Sequence, residues 1–86
     1  MFTVYVLYSE QFDKIYVGFT NDLHNRFKSH NELGKKGWTI KFRPWAILHT
    51  ESFETKAAAM DREKQLKSAQ RRTFIRELLR SKFPNT

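Results

Sequence analysis

The chain has 86 residues and no cysteine, so disulfides, thiolate metal sites and cysteine nucleophiles are excluded. Aromatic residues make up 15% of the sequence, which supplies large rings for one modest core and excludes a disordered tail. Sixteen Lys and Arg residues against nine Asp and Glu residues give a formal net charge of +7, which favours nucleic acid as partner ahead of an anionic membrane or an acidic protein.

The N-terminal segment lacks the basic start and the long apolar run of a secretory signal. No stretch of the sequence approaches the roughly 18 apolar residues of a membrane span. We therefore expect one cytoplasmic domain over residues 1–86, with no contact with a membrane.

The chain opens with two runs of β-branched and aromatic residues, Thr3–Tyr8 and Ile15–Thr20, separated by a polar stretch. Runs of this composition and length are typical of strands, and a short polar connection between them predicts a β-hairpin.

The pairing register of this hairpin decides whether two tyrosines can cooperate. If Tyr8 pairs with Ile15, then Tyr5 faces Gly18, and the phenols of Tyr5 and Tyr16 lie on one sheet face with Cα atoms about 7–8 Å apart. Glycine inside a strand often marks the close approach of another group, and here it would clear space opposite Tyr5. The alternative is that both tyrosines are ordinary half-buried strand residues.

A helix is predicted over about residues 22–31, because the polar pair before Leu23 can cap it. Arg26 and His30 lie one turn apart beside its apolar line, at the edge of the core. An arginine there could clamp a phosphate. The alternatives are a solvated arginine and a packed or capping histidine.

Residues 34–43 combine glycine, lysine and aromatic residues without a clean period, which predicts a loop before a third strand that Pro44 opens over residues 45–51. Cations beside rings suit phosphate contact and base stacking, although core-anchoring rings in a surface loop explain the pattern almost equally well. The candidate nucleic-acid contacts in this segment are Lys35, Lys36, Trp38, Lys41 and Arg43.

Two further helices complete the chain. Ser52 or Thr55 caps the second, which runs to about Ser68, and apolar residues around Phe74 to Leu79 mark the third. Neither glycine nor proline separates them, so a continuous or kinked helix stays possible. The fold class is α/β of the α+β type: a small three-stranded antiparallel sheet flanked by helices in the order ββαβαα.

Glu63 lies on or beside the apolar stripe of the second helix. The alternative is a surface ion pair with Lys67, an arrangement worth about 0.2–0.5 kcal/mol. Lys67 is itself a candidate nucleic-acid contact. Asp61 does not share the helix face of Glu63, so a site for two metal ions is not evident.

Taken in order, the segments TVY, IYVG, the Arg26 and His30 pair, Arg43-Pro44 and RE-x-x-LK resemble the GIY-YIG nuclease family. The resemblance runs from about Thr3 to Leu79 and is closest to small stand-alone members. Val replaces Ile in both halves of the motif and Thr3 replaces its first Gly, but both tyrosines are kept. Gln70 is the candidate for a late polar position of the family.

The resemblance implies an endonuclease that acts on nucleic acid, DNA before RNA, in roles such as DNA repair. Gly18 would be the structural glycine of the motif, and Glu63 would hold one divalent metal ion, Mg²⁺ or Mn²⁺, since a carboxylate, waters and the substrate phosphate can suffice. The implied catalytic residues are Tyr5, Tyr16, Arg26 and His30.

A mechanism follows as a hypothesis. Tyr5, as a phenolate or through a hydrogen-bond relay, takes a proton from the attacking water, while Tyr16 and His30 orient the base or the water. Arg26 neutralises charge on the phosphoryl oxygens. A phenolate base would need a tyrosine pKa lowered from about 10 to ~8, and which tyrosine is the base stays open. The alternative functions are a non-catalytic nucleic-acid-binding module and a protein-interaction adaptor.

Overall fold

The computed structural model describes residues 1–34, 37–68 and 71–82. Its strands and helices are β1 (Phe2–Ser9), β2 (Lys14–Thr20), α1 (Leu23–Lys28), a π-helical turn (Ser29–Leu33), a 3₁₀ turn (Trp38–Phe42), β3 (Ala46–Phe53), α2 (Lys56–Lys67) and α3 (Arg71–Lys82). The sheet is antiparallel with the strand order β2-β1-β3. The predicted α+β class and the order ββαβαα are therefore confirmed.

The register of the hairpin is the one that allows the two tyrosines to share a sheet face. Tyr8 lies opposite Ile15, and Tyr5 lies opposite Gly18. Because β1 is the central strand, both of its faces are covered, and residues 4–9 are all buried.

The two faces of the sheet carry different cores. On one face, α2 and α3 supply Ala59, Leu66 and Ile75 to a cluster that contains Val4 and Val6 of β1. The opposite face holds a second cluster, whose members are Tyr5, Leu7 and Trp45 with Tyr16, Leu23, Phe27 and Phe42 packed against them. Side chains alternate along a strand, so the odd-numbered residues of β1 face α1 and the two short turns.

The boundaries of the helix after the hairpin differ from the prediction of residues 22–31. Asp22 is the cap, accepting a hydrogen bond from the Asn25 backbone at 3.3 Å, and α1 ends at Lys28. The chain then widens into the π-helical turn, where the Gly34 backbone N–H donates to the Ser29 carbonyl at 2.8 Å. The extra residue in each turn re-aims the side chains that follow α1.

The prediction of a loop over residues 34–43 is wrong for Trp38–Phe42, which form the 3₁₀ turn. Its ring contacts explain the difference, because Trp38 packs on Phe42 at 4.6 Å and on Trp45 at 5.9 Å between centroids. Strand β3 begins at Ala46, one residue later than predicted, and continues to residue 53, which pairs with Phe2.

Of the two predicted caps for α2, the structure uses Thr55, whose hydroxyl accepts from the Ala58 backbone at 3.2 Å. The helix ends at Lys67, and Ser68 has extended backbone angles, so α2 does not run on through this residue. The residues between Ser68 and α3 lie outside the described ranges. No helix in the described part of the chain is long and apolar enough to cross a membrane.

An ion-pair network that the sequence did not predict ties α2 to β3. The Arg62 guanidinium donates to Glu51 at 2.9 Å and 3.0 Å, and His49 Nε2 lies 2.7 Å from the same carboxylate. Burial alone would raise the pKa of Glu51, but the hydrogen bonds from Arg62 and His49 outweigh burial and hold the pKa below its ordinary value. The stability that this network contributes is therefore lost as the pH falls into the acid range.

Candidate active site

A buried chain of three polar side chains lies at the centre of the second sheet face. Tyr5 Oη is 3.0 Å from His30 Nε2, and His30 Nδ1 is 3.0 Å from Thr39 Oγ1. All three residues are buried. Both ring nitrogens of His30 have a partner whichever of them carries the proton, so the position of the imidazole is fixed.

The surroundings of these three side chains favour the neutral form of the His30 imidazole. Burial lowers the pKa of His30, and the positive charges of Arg26 and Arg43 lower it further. A neutral imidazole has one nitrogen lone pair, and it can accept the proton of Tyr5 through Nε2 when the other nitrogen donates to Thr39.

Burial has the opposite effect on the Tyr5 phenol. It raises the pKa of Tyr5 far above its ordinary value, the neighbouring Tyr16 phenol acts in the same direction, and the positive charge of Arg26 offsets only part of the shift. The groups of the protein thus oppose the lowered pKa that a phenolate base requires. Of the two forms of the hypothesis, the geometry supports the hydrogen-bond relay.

Tyr16 and Gly18 close the site from β2. The Tyr16 ring lies 6.1 Å from Tyr5 and 4.7 Å from His30 between centroids. A Cβ atom at Gly18 would lie 2.6 Å from Tyr5 Oη and 3.1 Å from Tyr16 Cε1. A carbon and an oxygen atom that are not bonded cannot approach to 2.6 Å, so only glycine leaves room for the Tyr5 phenol at this position of β2.

An open pocket of about 260 Å³ gives solvent access to these groups, and it is lined by Tyr16, Arg26, Ser29, His30, Gly34, Gly37, Trp38 and Thr39. Arg26 is exposed at its rim, while Tyr16 is half-buried. A larger hollow of about 560 Å³ near Pro44 contains none of the predicted catalytic residues. We take the smaller pocket as the candidate site, because a buried relay, an exposed cation and a half-buried phenol converge there.

Arg43 holds the two short turns around the pocket. Its guanidinium donates to the His30 carbonyl at 2.5 Å, to the Ser29 carbonyl at 2.9 Å and to the Gly34 carbonyl at 2.7 Å. These hydrogen bonds give Arg43 a structural role, and its contact with nucleic acid stays a prediction.

Sequence reasoning did not identify two further residues that support the site, Thr39 and Asn31. The Asn31 side chain accepts from the Trp45 backbone N–H at 2.5 Å and donates to the Trp45 carbonyl at 2.9 Å. The Trp45 indole in turn donates to the Thr39 carbonyl at 2.8 Å. The position of Asn31 directly after His30 was the one available signal, whereas Thr39 carried none.

Glu63 is the acidic residue whose charge reaches the site. Its side chain is 19% exposed and pairs with Lys67 at 3.5 Å, so the predicted alternative, a helix-surface ion pair, is present. Its charge also raises the pKa of Tyr5, as the smallest effect after those of burial, Tyr16 and Arg26. The described residues that line the pocket do not include Glu63.

Glu63 suits a hard divalent cation that binds together with a substrate phosphate. Within residues 1–34, 37–68 and 71–82, no three or more His, Cys, Asp or Glu side chains are grouped so that they could hold a metal ion. Mg²⁺ commonly binds through one or two carboxylates, substrate phosphate oxygens and waters. A single partly buried Glu63 therefore fits a metal that binds together with a phosphate.

The other predicted nucleic-acid contacts lie in different parts of the chain. Trp38 is 47% exposed beside the pocket, and Lys41 is exposed in the same turn. Lys67 is half-exposed on α2. The predicted contacts at Lys35 and Lys36, and the family position assigned to Gln70, lie outside the described residues.

Comparisons with known proteins match this architecture. The family described as the GIY-YIG catalytic domain matches residues 1–76. A UPF0213 protein of Bacillus velezensis is 44% identical over 73 residues, covering 81% of this chain and 74% of the relative. The UPF0213 protein YazA of Bacillus subtilis is 40% identical, covering 78% of this chain and 71% of the relative. The solution NMR structure of a UPF0213 protein from Bacillus halodurans, 26% identical, aligns with a TM-score of 0.53 over 91% of this chain and 85% of that one.

Proposed function

The chain belongs to the GIY-YIG catalytic-domain family, and from this premise we propose that it is a metal-dependent endonuclease that hydrolyses phosphodiester bonds of nucleic acid, DNA in preference to RNA. Proteins of this family are generally endonucleases, which supports the nuclease class and a nucleic-acid substrate. The observation that carries the proposal is the buried hydrogen bond between Tyr5 and His30 under a pocket that Arg26 borders.

The proton leaves the attacking water through the tyrosines. Tyr16 is half-buried and lines the pocket, so its phenol meets the water, while the buried Tyr5 phenol donates to His30 Nε2. As the water oxygen attacks phosphorus, its proton passes to Tyr16, Tyr16 passes its own phenolic proton to Tyr5, and Tyr5 passes its proton to His30 Nε2, so the imidazole ends with the extra proton. Proton transfer by a positioned side chain accelerates a reaction roughly 10²–10⁴-fold.

Thr39 is the second partner of His30. When its hydroxyl accepts from His30 Nδ1–H, Nε2 is the lone-pair nitrogen that faces Tyr5. The lowered pKa of His30, caused by burial and by Arg26 and Arg43, keeps the imidazole free to accept a proton at neutral pH.

Arg26 stabilises the charge that develops on phosphorus. Its guanidinium is exposed at the pocket and its charge acts on both Tyr5 and His30, so it lies within electrostatic reach of the relay. The planar guanidinium of arginine can donate to two phosphoryl oxygens at once. These hydrogen bonds strengthen as negative charge builds in the transition state.

Glu63 is the proposed ligand of one divalent metal ion, Mg²⁺ or Mn²⁺. A bound cation of this kind supplies Lewis-acid polarisation of the phosphate. The Glu63 carboxylate contributes negative charge near Tyr5, and Lys67 neutralises that charge in the absence of a cation.

The test measures cleavage of labelled single-stranded, duplex and branched nucleic acid in Mg²⁺, in Mn²⁺ and in EDTA, for wild type and Tyr5→Phe. The matched control is Tyr8→Phe, since Tyr8 is equally buried on β1 but faces the other core and donates to Asp13 at 2.9 Å. We expect metal-dependent cleavage that Tyr5→Phe lowers by roughly 10²-fold or more and that Tyr8→Phe retains. Metal-indifferent binding without any cut product would make the chain a non-catalytic nucleic-acid-binding module.

A further inference from the structure

Three aromatic rings, those of Phe12, Phe42 and Trp38, form a continuous row on the surface, called here the aromatic row. Phe12 packs edge-on against Phe42 at 5.6 Å between centroids, and Trp38 lies 4.6 Å from the other side of Phe42. The two outer residues are 42% and 47% exposed. Contiguous apolar surface of this kind commonly marks a site of interaction.

The aromatic row borders the catalytic pocket. Trp38 lines that pocket together with Tyr16, Arg26 and His30. A strand that places a phosphate beside Arg26 is therefore within reach of the Trp38 ring.

The aromatic row packs on the buried ring of Trp45. The Trp38 ring lies 5.9 Å from the buried ring of Trp45, whose indole N–H donates to the Thr39 carbonyl. Thr39 is also the partner of His30. A platform that is already ordered loses little conformational entropy when a ligand stacks on it.

Positive charge flanks the rings. The Lys14 ammonium lies 5.5 Å from the centre of the Phe42 ring, and Lys41 is exposed in the same turn as Trp38. In the described part of the chain, neither lysine pairs with a carboxylate. Cations beside exposed rings are the combination that binds single strands, where the backbone meets charge and the bases meet aromatic faces.

We infer that the aromatic row is a stacking site for unpaired bases next to the cut, which makes strands with unpaired nucleotides the preferred substrate class over continuous duplex. This inference rests on the proposed nuclease function. In a duplex each base face is covered by its neighbours, so protein rings cannot reach it, whereas unpaired bases expose both faces. The lysines alone would not discriminate, because phosphate contacts are made equally to both forms.

The test compares binding of a labelled single-stranded oligonucleotide and of a blunt-ended duplex of the same length, in EDTA, by fluorescence anisotropy. The variants are Trp38→Leu, which keeps an apolar side chain without a ring, and Trp38→Phe, which keeps a ring. Met60→Ala is the control, since Met60 is 40% exposed on α2 away from the row. Thermal melting of each variant checks that the fold is kept.

For Trp38→Leu we expect a loss of single-strand affinity of roughly tenfold, with less than about twofold change for the duplex. Trp38→Phe should recover most of the loss, and Met60→Ala should change neither affinity. Equal losses on both nucleic acids, or no loss on the single strand, would overturn the inference.

Cleavage in Mg²⁺, recorded for the same proteins, separates the two proposals. Selective loss of single-strand binding by a protein that never cuts would contradict the nuclease function and leave the stacking site standing. Cleavage that is equally fast on both substrates and indifferent to Trp38→Leu would contradict the stacking site alone.

Discussion

Gly18 shows how one missing side chain makes the site possible. A Cβ atom there would meet Tyr5 Oη at 2.6 Å and Tyr5 Cζ at 2.8 Å, and the Tyr5 ring cannot retreat because it is buried against Leu7 and Trp45. The close contact therefore involves both Gly18 and Tyr5, and the two residues must be substituted together to test it.

We predict that Gly18→Ala destabilises the protein by about 1–3 kcal/mol through overpacking. In a Tyr5→Phe background, which removes the nearest atom, the same substitution should cost less, with a coupling of at least about 0.5 kcal/mol. Urea denaturation of the wild type, both single variants and the double variant measures this coupling. Strictly additive costs would show that Gly18 does not make room for the phenol.

His30 gives the protein a characteristic response to acid. Its pKa is lowered in the fold by burial and by Arg26 and Arg43, relative to an ordinary value of 6.5. The unfolded chain thus binds a proton that the folded chain refuses, so stability is full above about pH 6.5 and falls as the pH drops below it.

We predict that this acid loss of unfolding free energy is reduced in His30→Gln, and that the acidic limb of kcat/KM for the wild type lies below pH 6.5. Denaturation curves collected at several pH values for wild type and variant give the difference. His24→Gln, at an exposed position of α1, is the control and should follow the wild type. Identical pH dependence in wild type and His30→Gln would refute the assignment.

The two short turns after α1 form the wall of the pocket, and Arg43 joins them. Its guanidinium donates to the carbonyls of His30, Ser29 and Gly34, and the Ser29 carbonyl also accepts the π-helical hydrogen bond from the Gly34 backbone N–H. The wall therefore depends on one side chain that lies outside both turns.

Replacing Arg43 by Met should cost about 2–4 kcal/mol of stability, because three charge-assisted hydrogen bonds to backbone carbonyls are lost. Arg43→Lys should recover little of this, since an ammonium cannot reproduce the planar fork. Lys41→Met, an exposed neighbour, is the control for chemical denaturation. A stable Arg43→Met protein with weakened nucleic-acid binding would instead support the contact predicted from sequence.

The predictability of these elements follows from the range of the interactions that form them. The hairpin could be predicted from local signals, its strand composition and short connection, although these left open the register that places Tyr5 opposite Gly18. The 3₁₀ turn could not, because it depends on ring contacts and on Arg43. The Glu51 and Arg62 network likewise joins residues on different elements, and no local pattern announces it.

Separate elements of the fold form the candidate site. The hairpin supplies two tyrosines and the π-helical turn supplies His30, while Glu63, the proposed metal ligand, lies on α2. One face of the sheet carries the core under α2 and α3, and the other carries the relay. Any substitution that loosens the sheet thus affects activity as well as stability.

The candidate site was more predictable than its supports. Tyr5, Tyr16 and His30 meet in the structure, because strand alternation and helical spacing place side chains on faces. Thr39 could not be predicted as the partner of His30, since its position depends on how the 3₁₀ turn folds back. The raised pKa of Tyr5 could not be predicted from the sequence either, because burial causes it.

The substitution Glu63→Gln tests the nuclease account most directly, because it removes one negative charge and keeps the shape of the side chain. Cleavage and binding of the same labelled substrates are measured in Mg²⁺ for wild type, Glu63→Gln and the control Lys67→Met, which breaks the same ion pair but keeps the carboxylate. We expect Glu63→Gln to lower cleavage by at least about 100-fold with binding retained, and Lys67→Met still to cut. Cleavage by Glu63→Gln at the wild-type rate would refute the role of Glu63 as the metal ligand.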